Sequence, residues 1–148
     1  MVDADELELE GADFVHRQVL RIPEGVADDG PVYVYTRTAT TWTQAYRFSS
    51  ENAVAGEYGY ALVTDGTRLV VGAPTVASCG VSGTGAAFTY DLDGSQISTG
   101  QRLTAISPSS DLRFGTVVAI DGTWIAVAGP RRAGAGGRPP GEVVVFQR

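Results

Sequence analysis

Apolar residues in this chain come in short runs broken by Gly, Pro and Asp, and the breaks recur. DGTRLVVGAP at 65–74 returns as DGTWIAVAGP at 121–130, 56 residues later. At the same offset Tyr58-Gly59 answers Phe114-Gly115, and Gly85-Ala86-Ala87-Phe88-Thr89-Tyr90 answers Gly141-Glu142-Val143-Val144-Val145-Phe146. A third copy of the last phrase, Gly30-Pro31-Val32-Tyr33-Val34-Tyr35, stands 55 residues before the second. A constant period of this length marks stacked supersecondary units.

Each unit reads as antiparallel strands. Asp-Gly between two apolar runs predicts a two-residue type I′ hairpin with φ > 0 at both central residues. So 58–64 is expected to pair with 67–73, and 114–120 with 123–129. Pro74 and Pro130 end their strands, because proline cannot donate to a ladder. Strands over 85–90 and 141–146 follow, and Trp42–Phe48 and Gln96–Leu103 add an outer strand each. Tyr58, Tyr60 and Leu62 alternate with Gly59, Ala61 and Val63, so both faces are apolar. The same holds for Phe114–Ile120. Strands of this kind are expected to be covered on both sides. Small residues at Gly59, Ala61, Gly115 and Ala119 suit an inner strand at a crowded axis. Four-stranded sheets arranged radially make a β-propeller. The rival, an immunoglobulin-type sandwich, predicts no internal repeat.

The units resemble FG-GAP repeats, the propeller blades of integrin α subunits and many bacterial surface proteins. The likeness rests on Tyr58-Gly59 and Phe114-Gly115, on Gly72-Ala73-Pro74, and on the Gly-small-x-Tyr-Val-Tyr/Phe phrase. Ala128-Gly129-Pro130 reverses one pair, and the resemblance covers about residues 30–148. It implies an all-β fold, a partial β-propeller of about three antiparallel blades. These are a degenerate first blade at 1–48, a complete second at 58–104, and a third at 114–148 lacking its outer strand. Before residue 30 two readings stand: worn strands at Leu7/Leu9 and Val19–Pro23, or an amphipathic helix over 4–22.

Family blades often hold calcium with alternating carboxylates between their first two strands. Here those positions read Leu62-Val63-Thr64-Asp65-Gly66 and Val118-Ala119-Ile120-Asp121-Gly122, with one acid each. The calcium role is therefore not carried over, and no metal or cofactor is expected. Asp91-Leu92-Asp93-Gly94 is a partial motif that equally suits an ordinary turn.

The long connections 49–57, 75–84, 105–113 and 131–140 are expected to share the end opposite the Asp-Gly turns. The resemblance implies that this end carries ligand-binding loops. Arg131, Arg132 and Arg138 in RRAGAGGRPPG are the candidate ligand-binding residues, for a carboxylate, a sulfate or an acidic glycan. A Gly/Pro-rich loop with solvated charges is the plainer reading. CGVSGTG at 79–85 hints at a phosphate loop, but no helix follows it. Trp42 and Trp124 read as packing residues, with a sugar platform as the sharper alternative.

Composition removes several function classes. The net charge is −6 over 148 residues, so no nucleic-acid partner is expected. All 11 basic residues are arginine, which reads as coding bias. No apolar run reaches the ~20 residues that cross a bilayer, so no membrane insertion is expected. The acidic MVDADELELE start has no apolar core, so no signal peptide is expected in this chain. Cys79 is the lone cysteine and forms no disulfide within the chain. His16 is the lone histidine, no Gly-x-Ser-x-Gly elbow occurs, and no His/Cys cluster suits zinc. The expectation is a non-catalytic ligand-binding or adhesion module of a β-propeller surface protein, extracellular or at the cell surface by the resemblance. Its partner is a protein or glycan on the long-loop face. A purely structural propeller segment of a larger protein is the alternative, with a carbohydrate-active enzyme domain behind it. Three blades do not close a ring, which implies either self-association or the remainder of a longer chain.

Overall fold

The computed structural model describes residues 13–17, 31–48, 56–78, 80–92, 100–130 and 141–147. Among these the chain is all-β, in three antiparallel sheets, none closed on itself. The first sheet orders β1 (Asp13–Arg17), β2 (Val32–Thr38) and β3 (Thr41–Phe48). The second orders β4 (Leu62–Thr64), β5 (Arg68–Ala73), β6 (Ala86–Asp91) and β7 (Gln101–Leu103). The third places β9 (Trp124–Gly129) between β8 (Val117–Asp121) and β10 (Glu142–Gln147).

Register carries the sequence repeat into space. Gly72 faces Ala87 in the second sheet, Ala128 faces Val143 in the third, and Arg17 faces Val32 in the first. So β1, β5 and β9 are the same strand of successive units. The stretch that pairs with β2 is therefore 13–17, not the Val19–Pro23 expected for that role. It also makes this part of 4–22 a strand rather than a helix; Leu7, Leu9 and 18–23 lie outside the described residues. Of Gln96–Leu103, the strand includes 101–103, and 93–99 lie outside the described residues.

The two predicted hairpins form, but each turn centre lies one residue later and each pairing shifts by two. Thr64 pairs with Leu69 and Asp121 with Trp124, which puts Gly66-Thr67 and Gly122-Thr123 at the turn centres. Only the glycines take positive φ, 87° at Gly66 and 52° at Gly122. That sign pattern belongs to type II′ and not to the expected type I′. The aspartate acts instead as the turn's acceptor. Asp65 Oδ1 accepts from Thr67 N (2.9 Å), Thr67 Oγ1 (2.8 Å) and Arg68 N (2.7 Å). Desolvation pushes the Asp65 carboxyl up, but these hydrogen bonds and the Arg68 charge outweigh it and hold its pKa below the usual value.

Strand alternation gives each sheet two different faces. One carries the smaller side chains of β2, β6 and β10: Val32 and Val34 in the first sheet, beside Tyr46 and Phe48 of β3, then Ala87 and Thr89 in the second, and Val143 and Val145 in the third. The other is larger and mostly aromatic: Tyr33 and Tyr35, then Phe88 and Tyr90, then Val144 and Phe146. The sheets stack unlike face to unlike face. Val32, Val34 and Phe48 bury against Leu69, Val71, Phe88 and Tyr90. Val70, Ala87 and Leu103 bury against Ile125, Val127, Val144 and Phe146. The Phe48 and Tyr90 rings meet across the first interface at 4.5 Å.

The expectation of cover on both sides is met at β4, where Leu62 packs in the first interface and Val63 in the second, and fails at β8. β4 is half-buried throughout, and β8 alternates between exposed and half-buried positions, with Val117 56% exposed. An apolar face is buried only where another sheet lies over it, and among the described residues none lies over the outer face of the third sheet.

One buried group is out of keeping with its neighbours. Thr89 is 1% exposed, and its hydroxyl has no hydrogen-bond partner among the described residues. The matching positions in the other sheets are Val34 and Val145. A buried unsatisfied hydroxyl costs about 1 kcal/mol or more. Thr89→Val is therefore expected to raise stability by about 1 kcal/mol, read as a higher urea midpoint at unchanged slope.

Candidate functional site

The site is the end of the stack where the long connections meet. Its scaffold is a pair of repeated turns. Tyr60 N bonds to Glu57 O and Thr116 N to Arg113 O, both at 3.1 Å. Gly59 and Gly115 take φ of 87° and 95°, the positive value that the second central residue of a type II turn requires. Gly59 N then bonds to Gly72 O, and Gly115 N to Ala128 O, each at 3.1 Å. Each turn is thus pinned to the second strand of its own sheet.

Glu57 and Arg113 open these turns with φ of 53° and 55°, values that side-chain-bearing residues seldom adopt. They sit 56 residues apart, at the same place in consecutive units, and their side chains meet: Arg113 Nη2 lies 2.6 Å from Glu57 Oε2, both groups partly buried. The Arg113 guanidinium also lies 5.8 Å from the centre of the Tyr60 ring. Sequence reasoning missed this pair, although the repeat offset was the signal that links it.

The connection between β5 and β6 folds against the one entering β8. Arg113 N bonds to Gly83 O (3.1 Å) and Phe114 N to Thr84 O (2.8 Å). Thr84 Oγ1 lies within hydrogen-bond distance of Val81 O (3.1 Å) and Ser109 O (3.2 Å). Within the Gly-rich stretch, Val81 N bonds to Ser78 O and Gly85 N to Val76 O. Those amides are committed to the chain itself, so the stretch does not offer them as an anion cradle. Glu142 ties down the connection after β7, accepting from Ile106 N at 2.7 Å and from Ser107 N at 3.3 Å.

Arg131, Arg132 and Arg138 lie outside the described residues, as do Cys79 and Asp93. The strands that flank the 131–140 segment do end here. A Cβ on Gly129 would meet the backbone of Leu112 and Phe114, and one on Gly141 would meet Gly129 and Pro130. Trp42 and Trp124 are 41% and 48% exposed. Both follow tight turns at the opposite end of the stack, where Arg37 lies 5.6 Å from the Trp42 ring centre. Among the described residues no three His, Cys, Asp or Glu side chains come together, and no helix is long and apolar enough to cross a membrane. No protein-family model, curated protein or solved structure matches this chain.

Proposed function

We propose that the chain is a non-catalytic binding module, a partial propeller of FG-GAP type that takes a protein or glycan ligand at its long-loop end. One observation carries this reading: the described connections 75–78, 80–84 and 105–113 converge at one end on a bonded scaffold, while the β2–β3, β4–β5 and β8–β9 turns at the other end are two residues each. Rigid strands that present irregular loops at one end are a common basis for binding. The arginines of the 131–140 segment supply guanidinium groups suited to carboxylate or sulfate. An extracellular or cell-surface setting follows from the FG-GAP resemblance. A structural segment is the second reading. It is favoured by the commitment of the Gly-rich amides to internal bonds.

The test is binding to an array of carboxylated and sulfated glycans. Wild-type protein is expected to bind a subset. Replacing Arg131, Arg132 and Arg138 together by Ser should leave the circular dichroism spectrum unchanged and weaken that binding at least tenfold, the loss of about 1.4 kcal/mol or more. Equal binding by the variant overturns the role of these arginines. No binding by wild type to glycan or protein arrays favours the structural reading.

A further inference from the structure

The stack follows one positional rule at both of its interfaces: the face that carries Phe88 and Tyr90, or Val144 and Phe146, covers the face of the preceding sheet that carries Val32 and Val34, or Ala87 and Thr89. Applied to the third sheet, the rule leaves its aliphatic face uncovered. Val143, Val145 and Val117 are 68%, 57% and 56% exposed there. They form one continuous surface, because Val143 and Val117 both flank Ala128, and Val145 and Ala119 both flank Ala126. Three large aliphatic side chains this exposed on one sheet face mark an interaction surface.

The matching aromatic face stands at the other end of the stack, on the first sheet. Tyr33 pairs with Arg47, Tyr35 with Gln44, and Arg37 with Trp42, so these six side chains share a face. Tyr33 and Tyr35 are half-buried, and the other four are exposed. Tyr33 and Tyr35 share a side by alternation along β2, and the register shift at Ala45 of β3 brings Gln44 and Trp42 opposite Tyr35 and Arg37. The correspondence with the second sheet extends to a charge. Phe88 pairs with Arg102 as Tyr33 pairs with Arg47, and Arg102 lies 5.9 Å from the centre of the Phe88 ring.

We propose that the Val117/Val143/Val145 face of one copy receives the Tyr33/Tyr35/Trp42 face of a second copy, head to tail, and that two copies close on each other through two such contacts. Charge favours the match. Asp121 lies on the aliphatic face beside Trp124, while Arg37 and Arg47 lie on the aromatic one. The levels also agree: Trp124 and Trp42 each follow a turn at the same end of the stack, so continuing the stack brings the two indoles to one edge of the contact. Two copies bring six sheets together, within the roughly four to eight of closed propellers. A contact between two different faces closes into a ring when its rotation permits. This inference goes beyond the ligand-binding reading and stands or falls without it.

Sedimentation equilibrium of the 148-residue chain from 1 to 100 μM tests it. The expected mass is twice 15.5 kDa. Val145→Lys on one face and Arg47→Glu on the other, both at exposed positions, should each weaken association at least tenfold with unchanged circular dichroism. Mixing the two variants should restore a dimer, since one of its two contacts then joins unaltered faces. A monomer throughout the range overturns the proposal. Association that responds to Val145→Lys but not to Arg47→Glu also overturns it, since the aliphatic face then meets some other surface. Folded variants that dimerise as wild type does overturn it as well.

Discussion

Gly72→Val is expected to abolish the folded state. A Cβ at Gly72 would overlap the carbonyl oxygen of Gly115 and lie 3.2 Å from the Ala61 methyl. The obstacle is backbone, so no change of rotamer clears it. The backbone is also held where it is. Gly72 N donates to Ala61 O at 2.8 Å, and Gly72 O accepts from Gly59 N at 3.1 Å and Tyr60 N at 3.2 Å. Gly115 is fixed in turn by its bond to Ala128 O and by its φ of 95°. Making room requires the second and third sheets to part, which exposes the Val70–Val127 core between them. Overpacking a tight core costs typically 1–3 kcal/mol and occasionally more; a clash of main chain against main chain belongs to the larger values, on the order of 4 kcal/mol or above. Against a total of roughly 5–15 kcal/mol this leaves little folded protein. The measurement is a thermal melt by circular dichroism, with Gly66→Val as the control. A Cβ at Gly66 meets nothing within 4 Å, so only its φ of 87° opposes the change. The control should lose about 1–2 kcal/mol. If Gly72→Val melts no lower than Gly66→Val, the close approach of the two sheets is wrong.

Phe114→Ala is expected to cost about 3–5 kcal/mol, the usual range for a fully buried phenylalanine. Phe114 is 0% exposed and sits in the core between the second and third sheets, edge-on to Phe146 at 6.5 Å. Its backbone is bonded to Thr84 O and bridges to Gly85, so the site cannot collapse onto the cavity without pulling the two sheets together. The melting temperature should fall by roughly 10 °C or more. Ile106→Ala, on a residue 78% exposed, is the comparison and should move it little. A Phe114→Ala variant with wild-type stability would place the core elsewhere.

The sequence by itself determined the strands and the unit. Asp-Gly between apolar runs that end at Pro located the pairs of β4 with β5 and β8 with β9. The offset of 56 anticipated bonds that recur atom for atom, as at Tyr60 N to Glu57 O and Thr116 N to Arg113 O. Only the tertiary structure decided which faces are buried. Val143 and Val145 read like Val32 and Val34, yet one pair is open and the other sealed, because burial belongs to the neighbouring sheet and not to the strand. The hairpin register was likewise beyond the dipeptide. Asp-Gly is compatible with either turn centre, and the three hydrogen bonds accepted by Asp65 favour the one observed. At the loop end, the Glu57–Arg113 pair depends on two units being laid side by side. Contacts between residues so far apart in the chain exist only once the sheets have stacked, since the stacking itself sets the distance between the two charges.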